Sequence, residues 1–363
     1  MRSNAIHHLK WSVLLVWLML TACQSSADSL RHDEFVTTND GTELYLMTRG
    51  ADSEAPVLLW LHGGPGAAER PLFRYYNSEL EKHFVVAYWD QRGAGRSFDP
   101  DASVDALTID QHLADLDIVV DHLRRRLNQN RIVLVGHSWG GALGLLYSHQ
   151  HPDKVSALFA VNPLVSTQAQ QQMRYTFLLH EAESMNDTRA LSLLRDIGPP
   201  PHPTAATAME VETLAGQYGA IFHQRPNYLW VSLRGIFTGL VTPLEIPRII
   251  RANNISLDAM HNELQTLDLF QSVPDVDVPT FIFVGRHDQH VAAEVAADYL
   301  NTLNAPVKQL TWFENSAHNI PFEEPDRFHS QLVELFNSTI TQLSTYPSTH
   351  TTTTQPQETI DEE

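Results

Sequence analysis

The sequence predicts an α/β fold, a mostly parallel, doubly wound sheet into which a helical segment is inserted. Three observations point there. Short, unbroken apolar runs recur along the chain, as expected for parallel strands covered on both faces. Between them lie stretches with helical periodicity, and strand alternating with helix is the signature of a wound parallel sheet. From about residue 165 to about residue 275 the strand signal disappears, and it returns at Thr280. With 363 residues the chain is long enough to bury a large core and still carry such an insertion.

Taken in order, residues 23–33 are polar and read as a tether. Phe35 to Thr38, then Asn39-Asp40-Gly41, then Thr42 to Met47 read as an opening antiparallel hairpin, because Asn and Gly tolerate the positive φ such turns require. The buried strands are Pro56–Leu61, Phe84–Trp89, Ile132–Val135, Ala157–Val161 and Thr280–Val284. The clearest helix runs from Thr108 to Leu127. Thr108 and Gln111 have the spacing of a capping box, and Ile109, Leu113, Leu116, Val120, Leu123 and Leu127 advance by fours and threes along one face. Residues 34–164 and 276–337 therefore form the sheet domain, and 165–275, with its Pro199-Pro200-Pro201 break, form a helical cap after the sixth strand. Residues 338–363 are polar and end in acid, and are expected to be a disordered tail. No internal repeat is apparent.

Chemistry concentrates where the run Ile132-Val-Leu-Val135 enters Gly136-His-Ser138-Trp-Gly140, the sequence form of a nucleophile elbow. The two glycines let neighbouring segments approach a serine held in strained backbone, which makes Ser138 the candidate nucleophile. A serine hydroxyl needs a base, and the base an acid to orient it. In α/β-hydrolases the chain order is Ser, acid, His. Asp288 falls just past the strand ending at Val284, and His318 just past another strand around Trp312, so they are the candidate acid and base, the alternatives being a turn residue and a surface loop histidine. His137 is read as structural, and His287 and His290 share the acid's own loop. The oxyanion needs two amide donors: Trp139, after the nucleophile, and Gly64 in His62-Gly63-Gly64-Pro65-Gly66, with Gly63 as the alternative. That glycine loop lacks the Gly-Lys-Ser/Thr ending of a phosphate cradle. There is no His-Glu-x-x-His, and neither metal nor cofactor is expected.

Three blocks, His62-Gly-Gly-Pro-Gly66, Trp89-Asp-Gln-Arg-Gly-Ala-Gly-Arg-Ser97 and Gly136-His-Ser-Trp-Gly-Gly141, resemble in the same order the signatures of the proline iminopeptidase group of α/β-hydrolases. The resemblance covers the sheet domain and hardly touches the cap. It implies an α/β-hydrolase fold, with Ser138 as nucleophile, Asp288 as acid and His318 as base, and gives the Asp90 to Ser97 loop a part in shaping the site floor. The residues alone favour a buried ion pair between Asp90 and Arg92. Such iminopeptidases bind a free amine with acidic cap residues near a Trp-x-x-Trp-Glu segment, and none occurs here. The nearest aromatic run, Asn227 to Arg234, ends in a base; Glu181, Glu183, Glu210, Glu212 and Glu245 remain as candidates for the amine.

The formal net charge of −19 argues against nucleic acid and anionic lipid headgroups as partners. Arg2 and Lys10 precede an apolar run from Trp11 to Leu20, which is too short to span a bilayer, and then Leu20-Thr-Ala-Cys23. This resembles a bacterial lipoprotein signal peptide, residues 1–22, cleaved before a lipidated Cys23, the chain's single cysteine. Gln24 after the cysteine implies an outer-membrane address facing the periplasm. The expected activity is that of a serine hydrolase forming an acyl-enzyme, acting on short peptides with an N-terminal proline or small residue. Carboxylic esters, lactones or lipids reached at the membrane surface are the alternative substrates. A non-catalytic surface lipoprotein is the alternative from another class.

Overall fold

Eight strands form one sheet in the order β1-β2-β4-β3-β5-β6-β7-β8. They are β1 (Leu30–Thr37), β2 (Glu43–Gly50), β3 (Val57–Leu61), β4 (Val85–Trp89), β5 (Ile132–His137), β6 (Val155–Val161), β7 (Thr280–Gly285) and β8 (Lys308–Phe313). The computed structural model describes residues 29–223, 239 and 241–345. Cys23 with its preceding segment, the Asn227 to Arg234 run and the chain beyond 345 lie outside the described residues.

β1 and β2 pair antiparallel, β2 joins β4 antiparallel, and the remaining neighbours from β4 to β8 run parallel. The expected mostly parallel sheet is therefore the one observed. In the opening hairpin Thr37 pairs with Glu43, and of the turn residues only Gly41 takes a positive φ, +84°. β1 begins at Leu30, which shortens the polar stretch expected to reach residue 33. Its alternation, with every second residue facing solvent, is that of an edge strand, so its polar residues disguise it.

The parallel strands β3 to β7 are mainly apolar on both sides because helices cover both faces, whereas the edge strand β8 opens with exposed Lys308 and Gln309. Leu59, Leu61, Ile132 and Leu134 pack on one face against α2 (Ile109–Arg126), α3 (Trp139–Gln150) and α9 (Ala293–Thr302). Leu58, Trp60, Val133 and Val135 pack on the other against α1 (Arg70–Asn77), α10 (Ile320–Glu323) and α11 (Pro325–Thr345). α11 passes residue 338, where a disordered tail was expected to begin. Phe328, Leu332 and Phe336 bury one side of it, and Thr339 remains buried as the pattern continues.

α2 starts where its cap predicts. Thr108 accepts from the Gln111 amide at 3.1 Å, but the Gln111 side chain donates forward to Asp115 rather than back to Thr108, so only half of the capping box forms. Between β6 and β7 lie α4 (Thr167–Ser184), α5 (Thr188–Ile197), α6 (Ala205–Gln217), α7 (Ile246–Gln265) and the single turn α8 (Leu269–Ser272). Tyr175, Leu178, Leu194, Val211 and Leu214 give this insertion an apolar cluster of its own. α7 is also tied to the sheet domain: Asn253 donates to the Pro65 carbonyl (2.9 Å) and Ser256 to the Gly93 carbonyl (3.0 Å). No described helix is long and apolar enough to cross a membrane.

Candidate active site

Ser138 occupies the break between β5 and α3 with φ +54° and ψ −118°, a strained conformation for a residue with a side chain. Backbone bonds hold it there: its N–H donates to the Val161 carbonyl (2.9 Å), and its carbonyl accepts from Leu164 (3.1 Å). The turn is tight enough that a Cβ on Gly140 would lie 2.1 Å from the Leu61 carbonyl oxygen, so only glycine fits.

Asp288 and His318 follow β7 and β8, and both are buried. One Asp288 oxygen accepts from the amides of His290 (2.9 Å) and Val291 (3.1 Å); the other lies 2.8 Å from His318 Nδ1. A carboxylate only accepts, so Nδ1 carries the imidazole proton and Nε2 is left as the basic nitrogen. Asn162, at the end of β6, holds the two loops together. It accepts from Gly285 (2.9 Å) and donates to the carbonyls of Ala317 (3.1 Å) and His318 (2.7 Å). Among the described residues the Ser138 hydroxyl makes no hydrogen bond, so the structure joins acid to imidazole and places the serine at the same sheet edge without closing that third contact. Such contacts are commonly long without substrate and tighten when it binds.

His137 is buried behind the serine. Its Nδ1 lies 2.8 Å from Glu69 and its Nε2 lies 2.9 Å from the His318 carbonyl. Both partners only accept, so both ring nitrogens carry protons and the ring is an imidazolium. Burial opposes that charge, but the Glu69 carboxylate outweighs it and raises His137 above its ordinary value of 6.5. Burial likewise raises Glu69, and His137 overrides it, so the carboxyl sits below its ordinary 4.5. The stabilisation from raised His137 is complete below pH 6.5 and fades as pH climbs through its folded value. That from lowered Glu69 is complete above pH 4.5 and fades as pH drops through its folded value. Glu69→Gln is therefore expected to destabilise the protein by roughly 3 kcal/mol at a pH of about 5.5, with a smaller gap at either extreme. Urea unfolding across that range checks it, and a gap that does not vary with pH contradicts the ion pair.

The three sequence blocks meet through hydrogen bonds. His62 accepts from the Gln91 amide (3.0 Å), the Gln91 side chain donates to the His62 carbonyl (2.8 Å), and the Trp139 indole donates to Gln91 (3.1 Å). The expected Asp90–Arg92 pair does not form. Asp90 instead pairs with Arg70 (3.0 Å) of α1, and Arg92 with Asp115 (2.7 Å) of α2 and with Asp40 (2.9 Å), so the two side chains reach helices on opposite faces of the sheet. In the glycine loop the Gly63 N–H is taken by Glu69 at 3.0 Å, while Gly64 stands at φ +112° beside Ser138 in the cavity wall.

That cavity, about 100 Å³, opens on Ser138 and is walled by the insertion: Thr167, Gln171 and Arg174 from α4, Met209 and Glu212 from α6, and Leu257 and His261 from α7. Of the five acids considered from sequence, Glu212 alone lines it; Glu245 reaches Arg96, and Glu210 faces a different hollow. Sequence reasoning missed Glu69, Asn162 and Arg174, none of which belongs to a motif. It set His290 aside, yet that ring packs against His318 at 4.6 Å between centroids. Among the described residues no group of three His, Cys, Asp or Glu side chains is placed to hold a metal.

A family model described as alpha/beta hydrolase fold matches residues 56–192. The chain is 32% identical to a protein named probable aminopeptidase YbaC of Bacillus subtilis (strain 168) over 297 residues, 80% of this chain and 92% of that one. This chain belongs to the α/β-hydrolase fold family. The hydrolase is also 26% identical to a proline iminopeptidase of Saccharolobus solfataricus, over 77% of its own length and 84% of the relative's. Among solved structures it resembles a proline iminopeptidase-related protein of Thermus thermophilus, with a TM-score of 0.62 at 19% identity, covering 86% of this hydrolase and 99% of that chain. At that identity the likeness establishes the shared fold.

Proposed function

We propose that this hydrolase is an aminopeptidase that removes an N-terminal proline or small residue from short peptides through an acyl-enzyme on Ser138. The observation that carries the reading is the 2.8 Å bond from His318 to buried Asp288, beside a serine that begins a helix. In this mechanism His318 Nε2 takes the hydroxyl proton as Ser138 Oγ attacks the scissile carbonyl, and Asp288 stabilises the resulting imidazolium. The imidazolium then returns the proton to the leaving amine. Water, deprotonated by the same nitrogen, frees the acyl group.

The amides of Trp139 and Gly64 receive the oxyanion. Engagement of the Gly63 amide by Glu69 favours Gly64 as the second donor. Glu212 takes the substrate's free amine, being the acid that borders the Ser138 cavity. The names of the Bacillus and Saccharolobus relatives support peptides over other acyl substrates. Prolyl-naphthylamide should be cleaved, and its N-acetylated form should be cleaved at least about tenfold more slowly, since charge-assisted hydrogen bonds contribute roughly 1.5 to 3 kcal/mol. Cleavage of p-nitrophenyl acetate without any prolyl-naphthylamide turnover removes the peptidase reading and leaves an esterase.

A further inference from the structure

The cavity wall contains a cation that the mechanism does not use. Arg174 is only 5% exposed, and a buried guanidinium keeps its charge and needs partners for five N–H donors. Nη1 faces His290 Nδ1 at 3.2 Å and one Glu212 oxygen at 3.4 Å. Burial, with the Arg174 guanidinium and the His137 imidazolium nearby, holds His290 well below its ordinary value, so its neutral ring accepts from Nη1. Nε has no partner although it is out of contact with solvent, and among the described residues none is bonded to Nη2. The Nε–Nη2 side of the guanidinium, the edge that grips a carboxylate through two parallel hydrogen bonds, is thus unpaired.

The neighbourhood shares this incompleteness. Thr167, Gln171 and Arg174 stand at i, i+4 and i+7 on the face of α4 that lines the cavity, and both the Thr167 hydroxyl and the Gln171 carbonyl are buried without a partner. Buried polar atoms left unpaired are costly, and a ligand's polar groups are a means of satisfying them.

We propose that Arg174, assisted by the Thr167 hydroxyl, is a subsite for a substrate carboxylate, so that the preferred substrates are acids rather than their neutral analogues. This rests on the Ser138 cavity being the substrate site and deepens that reading. Glu212 and Arg174 together then suit a small zwitterion, with amine on one and carboxylate on the other. The carboxylate has two sources, the C-terminus of a short peptide on the leaving side or an acidic group on the acyl side.

Two matched pairs separate the sources. Pro-Ala against Pro-Ala-amide reports the leaving side, and mono-p-nitrophenyl glutarate against p-nitrophenyl valerate reports the acyl side. One pair should show kcat/KM roughly ten- to a hundredfold higher for the acid, the factor expected of charge-assisted hydrogen bonds. In Arg174→Met that ratio should collapse toward one, and Arg174→Lys should retain part of it, because an ammonium keeps the charge without the planar fork. Labelling of each variant by a neutral fluorophosphonate shows that the folded nucleophile is intact, so a failure of the serine mechanism is read separately from a failure of the subsite. Equal rates within about twofold in both pairs, or an acid preference that persists in labelled Arg174→Met, overturns the proposal.

Discussion

Ser138→Ala is expected to lower kcat by roughly a millionfold, the scale seen when a serine hydrolase loses its nucleophile. The residual rate would come from the amides and the cavity, which remain. The change deletes one oxygen and leaves the Val161 and Leu164 backbone bonds that hold residue 138, so the far-ultraviolet circular dichroism and the urea midpoint should hardly move. Steady-state kinetics on prolyl-naphthylamide and labelling with a fluorophosphonate make the measurement. Retention of more than about a hundredth of the activity, or labelling of the variant at another residue, would require a different nucleophile.

Asp288→Asn should cost about ten-thousandfold in kcat, for a reason visible in the loop. One oxygen of residue 288 is held by two backbone amides, His290 and Val291, and an asparagine would keep its carbonyl there. Its NH2 group would then face His318 Nδ1. An amide donor at that position moves the imidazole proton to Nε2, the nitrogen that accepts from the serine in the proposed mechanism. Expected, therefore, is a folded protein with near-normal substrate affinity and very little turnover. A drop of less than about tenfold would mean that His318 does not serve as the base, or that its tautomer is not set by residue 288.

The sheet was legible because its strands are covered on both faces, and a continuous apolar run as short as Ile132 to Val135 fits a buried parallel strand better than an amphipathic helix. The strand ends bearing Ser138, Asp288 and His318 were legible for the same reason, since loops after parallel strands converge on one edge. β1 was partly hidden because an edge strand facing solvent reads as polar tether. Long-range polar pairing was not legible at all. Nothing in the chain tells Arg92 to choose Asp115 and Asp40 over Asp90 two residues away, or joins Glu69 to His137 across 68 positions. Arg174 was obscured differently. It sits in a glutamine-rich helix whose outer and inner faces carry similar residues, so only the fold reveals which side chains look inward.

Two of the polar contacts that fasten α7 to the sheet domain end on carbonyl oxygens of the main chain, at Pro65 and Gly93. Every amino acid offers that acceptor. Drift at Pro65 therefore leaves its contact able to form as long as the loop path survives, whereas Gly93 has no such freedom, because a Cβ there would lie 2.5 Å from the Ser256 hydroxyl.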